Sequence, residues 1–195
     1  MRIGIDLDEV VVDFARKFID KAKKNFGKEV SYENIYSWHL WDVFGISREE
    51  AIKIAEDIFQ EDLENLEFVE DARDTIINLL KENEIFIITS RPIKFYERTK
   101  RFVEKSIDSR IGVFFSGGVA DSGKTKSEIC KELGIDLMID DHIGYYNDCV
   151  NKNIKTLLFT KPWNKNEKGV ERINSWKEIP EIIEKMKKEI EDAWN

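Results

Sequence analysis

The chain has 195 residues, of which 42% are hydrophobic and 36% charged, which is enough for one core with or without a small insert. Its 39 acidic and 31 basic residues give a net charge of −8, which argues against a protein that binds nucleic-acid polymers or anionic membranes mainly through charge. Without an apolar run of 18 residues or a signal peptide, we expect a cytoplasmic protein with no membrane partner. Cys130 and Cys149 lack metal-type spacing, so we expect them to be reduced and structural.

The first residues combine a buried strand with two carboxylates. An apolar strand is predicted from Arg2 to Leu7, and it contains Asp6 and is followed by Asp8. Aspartate is unfavourable in strands, so this pattern indicates a functional site. Residues two apart on an extended chain point the same way, and ligands of open α/β sheets bind at the carboxyl ends of the strands. Asp6 and Asp8 should therefore converge there, although capping and turn roles remain an alternative.

A helical and aromatic stretch follows. The spacing of apolar residues predicts helices that begin at Phe14, after Ser47 and near residue 70, whereas residues 30–46 are irregular and contain Trp38 and Trp41. The distance along the chain to the next strand is much longer than an ordinary crossover. We therefore expect residues 14–75 to form a helical cap over the strand ends. Its aromatic residues form either a hydrophobic cluster or a pocket that stacks a flat ligand.

The rest of the chain alternates strands with helices. The predicted strands are 85–88, 111–115, 135–139 and 154–159, and the predicted helices are 94–105, one opening at 124–127, 145–151 and one from Pro180. Such alternation is typical of a parallel sheet covered on both faces, a Rossmann-like doubly wound α/β fold. Its core would comprise residues 1–13 and 76–195.

Polar side chains stand at four strand or helix ends. They are Asp6 and Asp8, Thr89 and Ser90, Lys124 and Lys126, and Asp140 and Asp141. Several carboxylates with a lysine would bind Mg²⁺ and a phosphate group together. An aspartate can attack phosphorus to form an aspartyl phosphate, and a second, protonated aspartate can protonate the leaving oxygen.

These motifs resemble those of the haloacid dehalogenase (HAD) superfamily of phosphatases. The DxDx(V/T) motif is Asp6-Leu7-Asp8-Glu9-Val10, the hydroxyl-ended strand is Ile87-Ile88-Thr89, the lysine is Lys126 or Lys124, and the acidic pair is Ile139-Asp140-Asp141. Within the superfamily the chain is most similar to the 5′(3′)-deoxyribonucleotidase-like family, which has a small helical cap after the first strand. Glu9 stands where that family usually has glycine.

The resemblance implies a Mg²⁺-dependent phosphomonoester hydrolase that acts through an aspartyl phosphate on nucleoside monophosphates. Asp6 would be the nucleophile and Asp8 the general acid and base; Thr89, Ser90 and Lys126 or Lys124 would bind phosphate; and Asp6, Asp8, Asp140 and Asp141 would hold the metal. Phe14 with Trp38 or Trp41 would stack on the base. Arg91 is either a substrate contact or a surface residue, and we interpret His39 and His142 as structural. The number of subunits stays open, with a homodimer among the alternatives.

Three other functions are kept open. A HAD phosphatase of sugar or other small-metabolite phosphates would use the same chemistry. The run Gly118-Val119-Ala120-Asp121-Ser122-Gly123-Lys124-Thr125 matches the P-loop pattern GxxxxGK(S/T) of NTPases and kinases, but that interpretation leaves Asp6, Asp8 and Thr89 without roles. The third is a non-catalytic binding module on the same fold. The motif carboxylates and the lysine of this chain are intact, which argues against that interpretation.

Overall fold

A six-stranded parallel sheet forms the centre of the molecule. The computed structural model describes residues 1–117 and 123–193. The strands are β1 Arg2–Ile5, β2 Glu84–Thr89, β3 Gly112–Phe115, β4 Leu137–Asp140, β5 Lys155–Phe159 and β6 Arg172–Ile173, in the spatial order β3-β2-β1-β4-β5-β6. Every pair of neighbouring strands is parallel. The predicted Rossmann-like α/β fold is therefore confirmed, and the two-residue β6 is an edge strand that the sequence pattern did not reveal.

Eight α-helices accompany these strands in the described part of the chain. They are α1 Phe14–Phe26, α2 Leu40–Phe44, α3 Arg48–Asp57, α4 Ala72–Leu79, α5 Tyr96–Ser106, α6 Lys126–Leu133, α7 Ile143–Asn151 and α8 Ile179–Ala193. Ser47 and Glu50 form the expected capping box at the start of α3. The helix predicted near residue 70 begins at Ala72, because Asp71 just before it adopts a left-handed conformation with φ of 62°. None of the described helices is long and apolar enough to cross a membrane.

Strand β1 is where the order of the sheet reverses. Its neighbours are β2 on one side and β4 on the other, with Ile3 opposite both Ile85 and Leu137. In a doubly wound sheet this arrangement opens a crevice beyond the carboxyl end of the central strand. The side chains of Ile3 and Ile5 are fully buried, so they anchor β1 in the core directly below that crevice.

The strand ends two residues before the predicted Leu7. The amide of Asp6 still donates to Ile139 O at 2.9 Å, but the amides of Val11 and Val12 then donate back to Leu7 O at 2.9 and 3.0 Å. Asp8 therefore lies in the loop after β1 and not in the strand itself. The strand is shorter than predicted, and Asp6 and Asp8 nevertheless line the same cleft, which is described below.

Residues 14–71 contribute helices α1 to α3 and no strand to the sheet. The chain enters and leaves this insert along two segments that run side by side. Asp13 N donates to Glu67 O at 2.8 Å and Val69 N to Val11 O at 2.9 Å. The division into a cap at 14–75 and a core of 1–13 and 76–195 stays a prediction, and these two hydrogen bonds mark where such a cap would join the core.

Trp176 ties the C-terminal region to the loop after β1. Its fully buried ring lies 6.4 Å from the ring of Phe159, and its Nε1 donates to Val10 O at 2.8 Å. We expect Trp176→Ala to lower the free energy of unfolding by about 3–5 kcal/mol, through the cavity and the lost hydrogen bond. Trp38→Ala is the matched control, because half of that side chain is exposed. Urea unfolding measures both, and similar losses would contradict this role for Trp176.

Candidate active site

Three buried carboxylates meet at the carboxyl ends of β1 and β4. Asp6 follows β1, Asp140 is the last residue of β4, and Asp141 comes next. One oxygen from each of the three lies within 4.8 Å of the others, and all three residues are buried. Neighbouring parallel strands end at the same edge of the sheet, so the topology itself produces this cluster.

Lys126 lies between two of these carboxylates. Its Nζ donates to Asp6 Oδ1 and to Asp140 Oδ2, each at 2.7 Å, and it lies 4.4 Å from the centre of the Tyr145 ring. Burial by itself would lower the pKa of Lys126, but the carboxylates of Asp140 and Asp6 outweigh it and raise that pKa. The lysine is therefore charged although it is 1% exposed.

The cluster holds more negative charge than one lysine offsets. Burial raises the pKa of Asp6 to about 7, opposed by Lys126 and reinforced by Asp140 and Asp8. Burial, followed by Asp140 and Asp6, raises the pKa of Asp141 well above its ordinary value. Carboxylate oxygens are hard ligands that suit Mg²⁺, and a divalent cation would relieve this repulsion. The donor set therefore fits such an ion.

Asp141 is held by the segment after β5. Trp163 Nε1 donates to Asp141 Oδ2 at 2.9 Å, and Asn164 Nδ2 donates to the Asp141 carbonyl oxygen at 2.7 Å. Asn164 is itself buried and also donates to Phe159 O at 2.8 Å. These contacts fix the orientation of the Asp141 carboxylate within the cluster. Trp163 and Asn164 were not predicted to belong to the site, because Asp141 lies more than twenty positions before them in the sequence.

The second motif aspartate has a different partner. Both oxygens of Asp8 are paired with the Arg91 guanidinium, through Nε at 2.8 Å and Nη2 at 2.6 Å. Arg91 was predicted to be a substrate contact or a surface residue. The surface alternative was wrong, because Arg91 is buried against a motif carboxylate. The substrate contact stays a prediction. Arg91 also lines the cleft described below.

The predicted phosphate-binding residues do not all reach the site. Thr89 ends β2 and is buried, with its Oγ1 accepting from Arg91 N at 3.3 Å, and the exposed Ser90 lines the cleft. Lys124 is half-exposed and its Nζ donates to Glu132 at 2.7 Å, so the structure does not bring it to the carboxylates. The reason is local: Thr125 caps α6, and the next residue, Lys126, faces the sheet.

A cleft of about 280 Å³ opens over the carboxylates. Its apolar walls are aromatic, and Phe14 stacks on Phe59 at 5.4 Å between ring centres. Asp6, Asp8, Asp140, Asp141 and Arg91 line the cleft together with Phe14, Phe18, Trp38, Trp41, Phe59, Tyr145 and Trp163. The three residues predicted to contact a base thus share one cleft with the acidic cluster.

His142, which we interpreted as structural, also lines this cleft. Its Nδ1 accepts from Tyr145 N at 3.4 Å, and its ring centre lies 4.6 Å from that of Trp38. Its Nε2 is buried without a hydrogen-bond partner among the described residues. Burial lowers the pKa of His142 below its ordinary value. Its position directly after the acidic pair was the available sequence signal.

Glu9 takes up the conformation that a glycine would adopt freely. Its φ is 64°, a backbone conformation that is unfavourable for residues other than glycine. The contacts of its buried carboxylate offset this cost. Glu9 accepts from Ala15 N and, at 3.0 Å, from the Tyr32 hydroxyl, and it lies 3.9 Å from Lys161 Nζ. Burial raises the pKa of Glu9 to about 7. The residue therefore links the loop after β1 to the first helix of the insert.

The sequence matches the model of a known protein family, and the fold matches solved structures. A family model described as 5′ nucleotidase, deoxy (pyrimidine), cytosolic type C protein matches residues 1–189. No curated protein matches the chain.

Several solved structures share the fold. A haloacid dehalogenase-like hydrolase from Streptococcus pneumoniae is 14% identical, with a TM-score of 0.66 over 93% of this chain and 97% of that one. A HAD hydrolase from Bacillus subtilis, bound to magnesium, is 14% identical with a TM-score of 0.63 over the same shares. A predicted phosphoglycolate phosphatase from Haemophilus somnus is 15% identical, with a TM-score of 0.62 over 93% and 96%.

The carboxylate cluster predicts a stabilising effect of Mg²⁺. At a free concentration 100-fold above its dissociation constant, a ligand of the folded state adds about 2.7 kcal/mol to the free energy of unfolding. We expect Mg²⁺ to raise the melting temperature of the wild-type protein and of Asp20→Asn, whose aspartate is exposed on α1. Asp140→Asn should lose most of this increase because a buried ligand is neutralised. An equal increase in all three proteins, measured by differential scanning fluorimetry against EDTA, would reject the site.

Proposed function

Because the chain belongs to the family of cytosolic type C 5′-nucleotidases, and is thus a HAD-superfamily phosphatase, we propose that it hydrolyses nucleoside monophosphates with the help of Mg²⁺. One observation carries this proposal. An aromatic-walled cleft ends on a buried cluster of carboxylates with a charged lysine, so one cavity offers a place for a flat base and a place for a phosphate group.

In the proposed reaction Asp6 is the nucleophile. Lys126 engages one of its oxygens, Oδ1, at 2.7 Å, which leaves the other to attack phosphorus. The bond from Asp6 to phosphorus forms as the bond to the ester oxygen breaks, and Asp8 gives its proton to that oxygen. Asp8 then takes a proton from the water that hydrolyses the aspartyl phosphate, and inorganic phosphate and Asp6 are released.

The remaining residues bind and neutralise charge. Lys126 and Thr89, together with Ser90, would hold the phosphoryl oxygens. Asp6, Asp140 and Asp141, with the backbone carbonyl of Asp8, would hold Mg²⁺, which when bound offsets the negative charge that develops on those oxygens. Trp163 keeps Asp141 oriented toward the same point.

The insert at 14–75 would act as a cap that excludes water from the aspartyl phosphate. Phe14 and one of Trp38 and Trp41 would stack on the base, an interaction worth about 1–3 kcal/mol per base in single-stranded nucleic-acid binding. We place the reaction in the cytoplasm, in keeping with the cytosolic type of the family, and leave the number of subunits open.

The second candidate is a phosphatase of sugar or other small-metabolite phosphates, which would use the same cluster. It is favoured by the shared fold of the predicted phosphoglycolate phosphatase from Haemophilus somnus. A phosphate-release screen with Mg²⁺ over ribonucleotides, deoxyribonucleotides and sugar phosphates separates the two. A sugar phosphate preferred over every nucleotide would reject the nucleotidase proposal and keep the phosphatase.

The P-loop alternative has less support. Gly118 to Ser122 of that pattern lie outside the described residues, and Lys124 pairs with Glu132. The family match supports the phosphatase chemistry instead, and only the proposed mechanism assigns roles to Asp6 and Asp8.

Removing the nucleophile tests the chemistry. Asp6→Asn keeps the shape of the side chain and its contact with Lys126 but removes the attacking charge, so turnover should fall by at least about 10³-fold while the melting temperature stays close to that of the wild type. Asp20→Asn is the control for an exposed aspartate and should retain full activity. Near-normal turnover by Asp6→Asn in the phosphate-release assay would refute the role of Asp6.

Truncating an aromatic wall tests substrate choice. Phe14→Ala removes a ring that lines the cleft, so the KM for a nucleoside monophosphate should rise by about 5- to 150-fold, as expected for one stacking contact. The KM for para-nitrophenyl phosphate should change much less, because its ring does not extend as far as a base. Equal changes for both substrates would mean that Phe14 only packs within the insert. Ile52 is an exposed residue of α3 at the rim of the cleft, so Ile52→Ala serves as the control and should change the KM for the nucleotide much less than Phe14→Ala does.

A further inference from the structure

Arg91 is a buried cation whose charge is directed at a single carboxylate. Its side chain is 1% exposed, and two of its nitrogens pair with the two oxygens of Asp8 at 2.8 and 2.6 Å. A third, Nη1, donates to Thr99 Oγ1 at 3.3 Å. Such a planar, bidentate contact restricts both the position and the rotation of the carboxylate.

The insert closes the other side of Arg91. The guanidinium carbon lies 4.6 Å from the centre of the Phe59 ring, which is a cation–π distance. Phe59 belongs to the wide helical turn Ile58–Asp62, and its ring packs on Phe14 and on Phe95 at 5.4 Å each. π-Helical turns of this kind are frequent at functional sites. Arg91 is therefore fixed between a motif aspartate and an aromatic ring of the insert.

We propose that Arg91 is a positioning residue that orients the Asp8 carboxyl group for proton transfer, and that Phe59 holds Arg91 in place. This inference rests on the proposed phosphatase mechanism. When Asp8 gives its proton to the ester oxygen, it becomes a carboxylate, and the adjacent guanidinium stabilises that product. In the second half of the reaction the same orientation directs Asp8 toward the attacking water.

The contact leaves Asp8 able to react. Each carboxylate oxygen has two lone pairs, and the guanidinium occupies one on each. Asp8 also remains partly accessible, at 22% of its side chain, and lines the cleft. Arg91 lines the same cleft, but its side chain is 1% exposed and its nitrogens are directed at Asp8 and Thr99. In this proposal Arg91 therefore acts on the substrate through Asp8 and not as a direct substrate contact.

The test uses the leaving group as its readout. An alkyl ester such as a nucleoside monophosphate needs a proton at its leaving oxygen, whereas para-nitrophenolate leaves readily without one. Arg91→Lys keeps the positive charge but loses the bidentate geometry. We expect its kcat/KM, which covers the steps up to departure of the leaving group and excludes hydrolysis of the aspartyl phosphate, to fall by about 10²-fold for the alkyl ester, in the range of general acid catalysis. For para-nitrophenyl phosphate the same ratio should fall by less than about 5-fold. Arg110→Met removes an exposed ion pair with Asp108 and should change neither value.

Two further measurements separate positioning from other roles. In an Asp8→Asn background, Arg91→Lys should cause almost no further loss, because both changes disable one proton transfer. Phe59→Leu keeps an apolar side chain but removes the ring beside the guanidinium, so it should show the same leaving-group pattern in weaker form. This variant also provides the test if Arg91→Lys does not fold.

Several outcomes would overturn the inference. They are equal losses of kcat/KM with both esters, losses that multiply in the Asp8→Asn background, and a higher KM for the alkyl ester at unchanged kcat, which would make Arg91 a substrate contact. Wild-type protein that hydrolyses no phosphate ester would instead reject the proposed function itself. If the wild type prefers a sugar phosphate, the same comparison is made with that alkyl ester, so the two proposals fail separately.

Discussion

The burial of negative charge is the constraint on which the rest of the site depends. Asp6, Asp140 and Asp141 lie at one edge of the sheet, each at most 8% exposed, and their repulsion needs compensation. Lys126 supplies part of it through two contacts of 2.7 Å. The capping box of Thr125 and Glu128 makes Lys126 the first residue of α6. This start of the helix places Lys126 next to the carboxyl ends of β1 and β4, where its Nζ contacts Asp6 and Asp140.

The insert contributes to the site from the opposite side. Phe59 packs beside the guanidinium of Arg91, and Glu9 accepts hydrogen bonds from Ala15 N and from the Tyr32 hydroxyl. Two residues around Asp8 are thus tied to the insert. Movement of the insert would therefore change the surroundings of Asp8, whereas Asp6 and Asp140 are held by the sheet and by Lys126. This difference suits one carboxylate that transfers protons and others that stay in place.

The carboxylates of the site come from the sheet, whereas most of the residues that surround them come from other parts of the chain. The chain belongs to a phosphatase family, and its motif carboxylates stand at the strand ends where a doubly wound sheet binds ligands. The walls of the cleft come from the insert, from the turn after β2, from the start of α7 with Tyr145, and from the segment after β5, which supplies Trp163. Residues outside the motifs, including His142 and Trp163, shape what can bind above them.

The sequence by itself determined the alternation of strands and helices, the parallel sheet, and the group of Asp6, Asp140 and Asp141 at one edge. These follow from local periodicity and from the rule that parallel strands end together. Only the tertiary structure decided that Lys126 and not Lys124 meets the carboxylates, that Arg91 pairs with Asp8, and that Trp163 orients Asp141. Each of these contacts joins segments from fourteen to more than eighty positions apart, and its geometry depends on loop conformations and helix packing that hydrophobic periodicity does not encode.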